Sequence, residues 1–447
     1  MLLENSVPCH LTVLALLVCG GVVLQCLSTE PEDDAANRVE DDEDPVETVV
    51  LDTANGPVKG FIAQSCLGKP VRVFYGIPYA KPPTCQRRFD RAEPIERWRD
   101  VFDATVKPYS CFQVLDTFYG NFSGSVMWNA NTEMSEDCLK LNVWTPGCPS
   151  SEEPLAVLVW IYGGGFYSGT STLDVYDART LVSEENVIVV SMNYRVASLG
   201  FLSFGNEQLP GNAGLYDQYL ALKWVRENIA AFGGDPNRVT LFGESAGAVS
   251  VGLHMMSPLS QPLFARAILQ SGSPTSPWGF HDRDTARRAA KRLAVALRCP
   301  DGLDQDTLDY LRIKDPEDIV TSESNNGGIV DFPFAPVEDG AFLPGTPQTL
   351  MDADRLVQAE IPVYQYVFAR RSSRNPWPPW TGVMHGDGSS QSTNWPRRTN
   401  SRKEHLVLDV NESVGCAHRE AYCEFWEDLR RNQTPPVPSC REDSGCA

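Results

Sequence analysis

The chain has 447 residues, 42% of them hydrophobic, and a formal net charge of −20. This length suits one large α/β domain. The negative charge argues against nucleic acid and anionic membrane surfaces as partners, because like charges repel. Part of the charge is local, since residues 30–47 hold ten carboxylates and one arginine. Acidic runs of this kind are typical of disordered segments, and we interpret residues 29–47 in that way.

Residues 11–24 form an apolar run near the N-terminus. The run is too short to span a bilayer comfortably, and we predict a cleaved secretory signal peptide over residues 1–28. A signal anchor is the alternative, because no Lys or Arg precedes the run and Glu4 does. Three glycosylation sequons agree with a secreted, extracellular protein. They begin at Asn121, Asn411 and Asn432.

The first elements of the mature chain are short. Val49–Leu51 and Val71–Tyr75 have the apolar, β-branched composition of strands, and Gly56–Gly60 is interpreted as the turn between them. Gly76–Pro83 holds three prolines and is predicted to be irregular. Leu141–Trp144 is predicted to be another strand.

Two continuous apolar runs, Leu155–Tyr162 and Val187–Ser191, are typical of strands buried on both faces of a sheet. A helix is predicted from Gly214 to Phe232, with its end at Gly233. The elements predicted after it are a strand at Val239, a strand at Ala267–Ser271, a basic helix at Asp282–Leu297 and a strand at Pro362–Phe368. This alternation predicts an α/β fold with a mostly parallel central sheet and helices on both faces.

A candidate nucleophile lies in Gly243-x-Ser245-x-Gly247, between the strand at Val239 and a helix rich in small residues. This is the pattern of a nucleophile elbow. A serine hydroxyl that attacks a carbonyl must stand clear of the backbone on a sharp turn. The flanking glycines allow the neighbouring chain to come close. We therefore predict Ser245 as the nucleophile, and the N–H of Ala246 as a donor to the oxyanion that forms.

Several longer motifs together resemble the type-B carboxylesterase family, and two others narrow the resemblance to its cholinesterase branch. The first group is Glu136–Trp144, Trp160–Gly169, Phe232–Gly247 and Gln270–Gly272; the second is Ser125–Asn129 and Leu173–Tyr176. The resemblance implies an α/β-hydrolase domain over residues 48–430, followed by a disordered tail over residues 431–447. It also implies a secreted serine esterase that cleaves choline esters through an acyl-enzyme and needs neither metal nor cofactor.

Further site residues follow from the resemblance. Gly164 and Gly165 correspond to the other oxyanion donors, and His385 lies in a segment similar to the family's catalytic-histidine loop. Trp128 is similar to the family's choline-binding tryptophan, where a ring face would hold a quaternary ammonium by roughly 1–2 kcal/mol. The remaining positions assigned to substrate binding are Glu244 beside the nucleophile, Asp116 and Tyr167 along the entrance, and Trp278, Val330 and Phe332 in the acyl pocket.

Cysteines add two expectations. Cys111 and Cys138 bracket a short loop and are the best candidates for an intramolecular disulfide, which would stabilise the fold by roughly 3 kcal/mol in the chain-entropy model. Cys440 or Cys446 in the tail is a candidate for a bond between two chains, giving a disulfide-linked homodimer.

The chain departs from the family pattern where the triad acid is expected. In this fold the acid lies between the serine and the histidine. The family's Asn-x-Asp-Glu-Gly motif is not found between Ser245 and His385. The resemblance therefore implies that the domain is incomplete in its C-terminal half, with one deletion near residues 355–361 and another after Gly386. Glu338 and Asp339 correspond to other positions in the family and are poor substitutes.

The cysteines agree with a deletion. Cys299 has Tyr310 where the resemblance places its partner, and the partner of Cys423 falls in the segment that is not found. Two hypotheses remain open. The chain is a secreted cholinesterase-type hydrolase, or it is a catalytically impaired form that acts as a binding or adhesion protein.

Overall fold

The computed structural model describes residues 47–147, 153–300, 302–323, 332–352, 362–368, 375–378, 385, 404–408 and 413–416. The predicted signal peptide, the acidic segment before Glu47 and the tail over 431–447 lie outside these residues. Five single sites do as well: Val330, Asn411, Asn432, Cys440 and Cys446.

The main sheet has nine strands in the order β1-β2-β3-β5-β7-β6-β8-β9, with β4 paired to β2. Its strands are β1 Thr48–Thr53, β2 Gly56–Gln64, β3 Pro70–Pro78, β4 Phe102–Asp103, β5 Lys140–Pro146, β6 Leu155–Ile161, β7 Ile188–Met192, β8 Gly234–Glu244 and β9 Arg266–Gln270. A separate sheet joins β10 (Tyr366–Phe368), β11 (Glu404–Leu408) and β12 (Ser413–Cys416).

The main sheet is mixed in direction. Strands β1, β2, β3, β5 and β7 pair antiparallel, whereas β7, β6, β8 and β9 pair parallel. The parallel half contains the two continuous apolar runs of the sequence, as burial on both faces requires. The carboxyl ends of β6 and β8 meet at one edge of this half, where Ile161 pairs with Gly243.

Two sequence predictions near the N-terminus are wrong in part. The turn lies at Ala54 and Asn55, and Gly56–Gly60 belongs to β2, because Thr53 pairs with Gly56 and closes a tight hairpin. Strand β3 also continues through Pro78, since an irregularity between Phe74 and Ile77 lets it keep pairing with β5. The late strand is shorter than predicted and covers only Tyr366–Phe368.

The helices fill the connections between strands. Their bounds are α1 Ser123–Val126, α2 Arg179–Glu185, α3 Ala197–Phe201, α4 Ala213–Asn228, α5 Ala246–Met256, α6 Arg283–Ala296, α7 Gln305–Arg312, α8 Pro316–Thr321 and α9 Pro347–Asp352. The predicted helix end at Gly233 is confirmed, because a 3₁₀ turn after α4 ends there with a φ of 88°. Asp282 caps α6 by accepting a hydrogen bond from the N–H of Thr285.

Two apolar layers cover the two faces of the sheet. In β6, Val157 and Val159 belong to one buried cluster and Leu158 to the other, as the alternation of a strand requires. Helices α4, α5 and α6 pack on the first face, and α2 packs on the second. Helices therefore cover both faces, as predicted. In the part of the chain that the structure describes, no helix has the length and apolarity needed to cross a membrane.

A buried polar chain ties the helix behind the elbow to its neighbours. His254 of α5 is fully buried, with its Nδ1 2.8 Å from Ser260 Oγ and its Nε2 2.9 Å from Gln218 Oε1 of α4. The Gln218 amide also donates to Ser250 Oγ at 3.2 Å. Burial lowers the pKa of His254 from 6.5 to about 3, because the interior disfavours its charged form.

Because His254 is buried in its neutral form, we expect the free energy of unfolding to depend on pH. The unfolded chain takes up a proton near pH 6.5 and the folded chain does not until about pH 3. The contribution of neutral His254 is thus complete above pH 6.5 and is lost as the pH falls, by about 1.4 kcal/mol per pH unit. In urea unfolding, His254→Gln is expected to be less stable than wild type at pH 7.5 and to close part of that gap by pH 5. An unchanged gap would contradict the assignment.

Candidate active site

Ser245 stands at the turn between β8 and α5 with a φ of 56° and a ψ of −121°. A positive φ is costly for a residue with a side chain and persists only where the surrounding structure imposes it. The Ser245 N–H donates to the Gln270 carbonyl at 2.8 Å, and the Ser245 carbonyl accepts from Val249 N–H at 3.0 Å. The strained turn is therefore anchored to β9 on one side and to α5 on the other.

Close backbone packing explains the glycines around this turn. A Cβ at Gly243 would lie 2.6 Å from the Gly247 carbonyl oxygen and 2.7 Å from that of Ile161. A Cβ at Gly247 would overlap the carbonyl of Ile161. A Cβ at Gly163 would lie 2.9 Å from the Cβ of Ser245. The elbow and the loop after β6 thus touch through their backbones, which side chains at these positions would prevent.

The predicted oxyanion donors surround this contact. Gly164 and Gly165 adopt φ values of 104° and 59° in the loop after β6. Ala246 is the first residue of α5, where N–H groups have no acceptor inside the helix. In the segments that the structure covers, the N–H groups of Gly164, Gly165 and Ala246 donate to no protein acceptor. Three donors near Ser245 are thus available to an oxyanion.

Aromatic rings cover the same loop. The ring of Phe332 packs on Gly165, where a Cβ would lie 2.6 Å from Phe332 Cε1. Its centroid is 5.4 Å from that of Tyr167 and 5.7 Å from that of Trp278, which meets it edge to face. These three residues, predicted from distant parts of the sequence, therefore form one cluster beside the oxyanion loop.

The predicted Cys111–Cys138 disulfide is present and closes the loop that carries Trp128 and Asp116. Asp116 accepts hydrogen bonds from Ser125 Oγ at 2.6 Å and from Phe118 N–H at 2.8 Å. Both of its carboxylate oxygens therefore order the loop. Trp128 is 39% exposed, so a large part of its surface is free to meet a ligand.

The sequence motifs did not predict a role for Trp377 in the site. Its ring lies 4.8 Å from that of Phe122 and 5.3 Å from that of Tyr119, both within the disulfide loop. A Cβ at Gly124 would lie 2.8 Å from Trp377 Nε1. The tryptophan lies between two prolines shortly before His385, and this is the sequence pattern that could have marked it as a site residue. It joins the segment that leads to His385 to the loop that carries Trp128.

His385 lies against the residue that precedes the nucleophile. Its Nε2 is 3.0 Å from Oε1 of Glu244, and the contact with this carboxylate raises the pKa of His385 above 6.5. In the described segments, neither residue of the predicted Ser245–His385 pair donates a hydrogen bond to the other. The same segments contain no group of three or more His, Cys, Asp or Glu side chains placed to hold a metal.

Comparison with known proteins identifies the family. The model of the carboxylesterase family matches residues 47–359. The chain belongs to the carboxylesterase family. It is 52% identical to acetylcholinesterase of Electrophorus electricus over 295 residues, which is 65% of this chain and 46% of the relative.

Two further relatives agree. Acetylcholinesterase 1 of Caenorhabditis elegans is 51% identical over 300 residues, covering 66% of this chain and 48% of the relative. Cholinesterase of Mus musculus is 47% identical over 319 residues, covering 70% of this chain and 52% of the relative. The chain spans about half the length of these relatives.

A substitution at Gly164 tests the role of the loop after β6. In Gly164→Ala, the new Cβ would overlap the carbonyl of Ser168, and the φ of 104° would be strained. We expect the displaced loop to slow reaction of Ser245 with an aryl ester or a phosphonate by about 10²–10³-fold, the usual effect of losing one oxyanion donor.

The matched control is Gly68→Ala. Gly68 also has a positive φ, of 72°, but open space surrounds its position. This variant is expected to react at the wild-type rate. If circular dichroism shows that both glycine variants are folded and the two variants react at equal rates, the loop of Gly163–Gly165 does not belong to the site.

Proposed function

We propose that this chain is a serine hydrolase of the cholinesterase type, which cleaves choline and related carboxylic esters through an acyl-enzyme. The observation that carries the proposal is the strained elbow at Ser245, held against the loop of Gly163–Gly165. A positive φ is costly for a residue with a side chain, and at a strand-to-helix turn of this kind it holds a serine hydroxyl clear of the backbone, as a nucleophile requires.

In the proposed reaction, Ser245 Oγ attacks the ester carbonyl and the oxyanion accepts hydrogen bonds from the N–H groups of Gly164, Gly165 and Ala246. His385 takes the proton of the serine and returns it to the leaving alcohol. Water then attacks the acyl-enzyme with His385 again acting as base. No cofactor or metal is needed for these steps, because the hydroxyl, the base and the donors supply the chemistry.

The substrate class follows from the aromatic groups. A quaternary ammonium offers no hydrogen-bond donor, so the exposed face of Trp128 is the proposed choline site. Asp116 and Tyr167 are proposed to guide the cation, and Glu244 to add negative charge near it. Trp278 and Phe332 are proposed to bound the acyl group. Val330, which the family resemblance also assigns there, is smaller than an aromatic residue and leaves space for a larger acyl chain.

We further propose that the protein is secreted. The predicted signal peptide and the Cys111–Cys138 disulfide support this, because such bonds persist in oxidising compartments. Asn121 is exposed within its sequon and is a proposed glycosylation site, together with Asn411 and Asn432. A homodimer linked through Cys440 or Cys446 belongs to the same proposal.

One observation favours a second candidate function. His385 contacts Glu244 instead of Ser245, and the family's acid motif is not found in the chain. A catalytically impaired form would bind esters or a protein partner without turning them over. Once Ser245 has been shown to react, hydrolysis of acetylthiocholine distinguishes the two candidates. The enzyme hydrolyses it and the impaired form does not.

A labelling experiment tests the nucleophile. A fluorophosphonate is expected to modify wild-type protein at Ser245, with stoichiometry near one, and to leave Ser245→Ala unmodified. The neighbouring-site control is Ser250→Ala, which keeps the nucleophile and changes a hydroxyl on the same helix. Modification of Ser245→Ala, or none of wild type, contradicts the proposed enzyme. Labelling without turnover of acetylthiocholine supports the impaired form.

The acyl pocket generates a second test. Phe332→Ala removes the ring that packs between Tyr167 and Trp278, and the enlarged site is expected to raise the ratio of kcat/KM for butyrylthiocholine over acetylthiocholine about tenfold. Phe118→Ala removes a ring that is 84% exposed and is expected to leave the ratio unchanged. A ratio insensitive to Phe332 would place the acyl group elsewhere.

A further inference from the structure

Glu244 and His385 form a pair that no step of the proposed reaction yet explains. Glu244 is the last residue of β8, and His385 reaches it from a distant part of the chain. The two side chains meet with Nε2 of the imidazole 3.0 Å from Oε1 of the carboxylate. Such a distance is typical of a charge-assisted contact between an imidazole N–H and a carboxylate.

The position of Glu244 is firmly held. Its backbone pairs with Gln270 in the parallel sheet, and its carboxylate lies over the oxyanion loop, with Oε2 3.0 Å from the place of a Cβ on Gly163. Oε1 is buried and accepts no hydrogen bond of good geometry in the described residues, and the nitrogen that approaches it there is His385 Nε2, at 3.0 Å. A buried carboxylate oxygen without a hydrogen-bond donor is costly, so this position favours the approach of a protonated nitrogen such as His385 Nε2.

We propose that Glu244 is the carboxylate that positions His385 as the base for Ser245. This inference rests on the proposed function, since it assigns the group that orients the base in that reaction. It also gives Glu244 a role different from the cation contact that the sequence resemblance implies. The carboxylate and the nucleophile are neighbours on one rigid turn, so an imidazole that binds Glu244 is brought next to Ser245.

The chemistry is as follows. In the proposed reaction the proton of the neutral imidazole stays on Nε2, where it faces Glu244 Oε1, and this leaves the lone pair on Nδ1. As Ser245 Oγ bonds to the ester carbonyl carbon, the O–H bond of the serine breaks and its proton passes to Nδ1. Glu244 stays ionised and stabilises the imidazolium that results. The proton then moves from Nδ1 to the alcohol as the bond between the alcohol oxygen and the carbonyl carbon breaks.

Other titratable groups near the pair stay neutral. Tyr176 and Tyr366 are close enough to Glu244 to feel its charge, and burial is the main cause that raises the pKa of each phenol above its ordinary value of 10. Neither therefore carries charge between pH 5 and 9. Among the described groups at this position, the charge on His385 responds mainly to the charge on Glu244.

A titration by NMR tests the contact without requiring activity. The chain has six histidines, and His385→Asn identifies the imidazole signal of His385 by its loss. We expect Glu244→Gln to lower the pKa of His385 relative to wild type, because the amide keeps the size of the side chain and removes its charge. Glu207→Gln, at an exposed glutamate without an ion pair in the described segments, is expected to leave this pKa unchanged.

A pH profile of kcat/KM tests the role. The base must be neutral to act, so Glu244→Gln is expected to move the acid limb of the profile to lower pH. The plateau is expected to fall at least tenfold, and by up to about 10⁴-fold, the loss seen when a triad loses its acid. Glu244→Asp, which restores the charge on a shorter side chain, is expected to return the acid limb towards wild type.

The outcomes are distinct. An unchanged pKa of His385 in Glu244→Gln overturns the inference, whether or not the protein is an enzyme. A lowered pKa with an unchanged plateau also overturns it, because the pair would then be structural only. If wild type is neither labelled at Ser245 nor active, the proposed function fails, and the NMR titration still decides the contact. Should Glu244→Gln not fold, Glu244→Asp tests the same contact, because its shorter side chain holds the charge farther from Nε2 and is expected to lower the pKa of His385 by a smaller amount; an unchanged pKa in that variant overturns the inference as well.

Discussion

The close approach of three backbone segments around Ser245 is the constraint on which the site depends. Gly163 in the loop after β6, and Gly243 and Gly247 at the elbow, permit backbone contacts that a side chain at these positions would block. The positive φ of Ser245 costs free energy, and the hydrogen bonds to Gln270 and Val249 help to hold it. The proposed nucleophile and the proposed oxyanion donors are therefore positioned by main-chain packing.

The scaffold behind this turn contains buried polar side chains that bind one another. Gln218, His254 and Ser260 join α4, α5 and the loop after α5 in one chain of hydrogen bonds. Arg195 and Asp217 form a fully buried ion pair, with Nη2 2.7 Å from Oδ1. Paired groups of this kind are costly to break, so α4 and α5 keep a fixed orientation behind Ser245.

The side of the molecule that we propose to face the substrate is built differently, from loops and aromatic rings. The disulfide loop carries Trp128, and Asp116 uses both carboxylate oxygens to order it. Trp377 packs on the same loop, against the rings of Tyr119 and Phe122. Glu244 then meets His385 directly. The turn at Ser245 is thus held by main-chain contacts, whereas the positions of Trp128 and His385 depend on contacts between segments far apart in the chain.

The sequence by itself determined the elements whose signal is local: the elbow at Ser245, the buried strands β6 and β7, the helix that ends before Gly233, and the Cys111–Cys138 pair. Each of these depends on residue spacing or on a motif, and neither depends on contacts with residues far away in the chain. Only the tertiary structure decided the antiparallel pairing of the N-terminal strands, the packing of Trp377 and the meeting of Glu244 with His385. These contacts join residues far apart in the chain, and spacing carries no information about them. The elbow was therefore predictable, whereas the partner of its histidine was not.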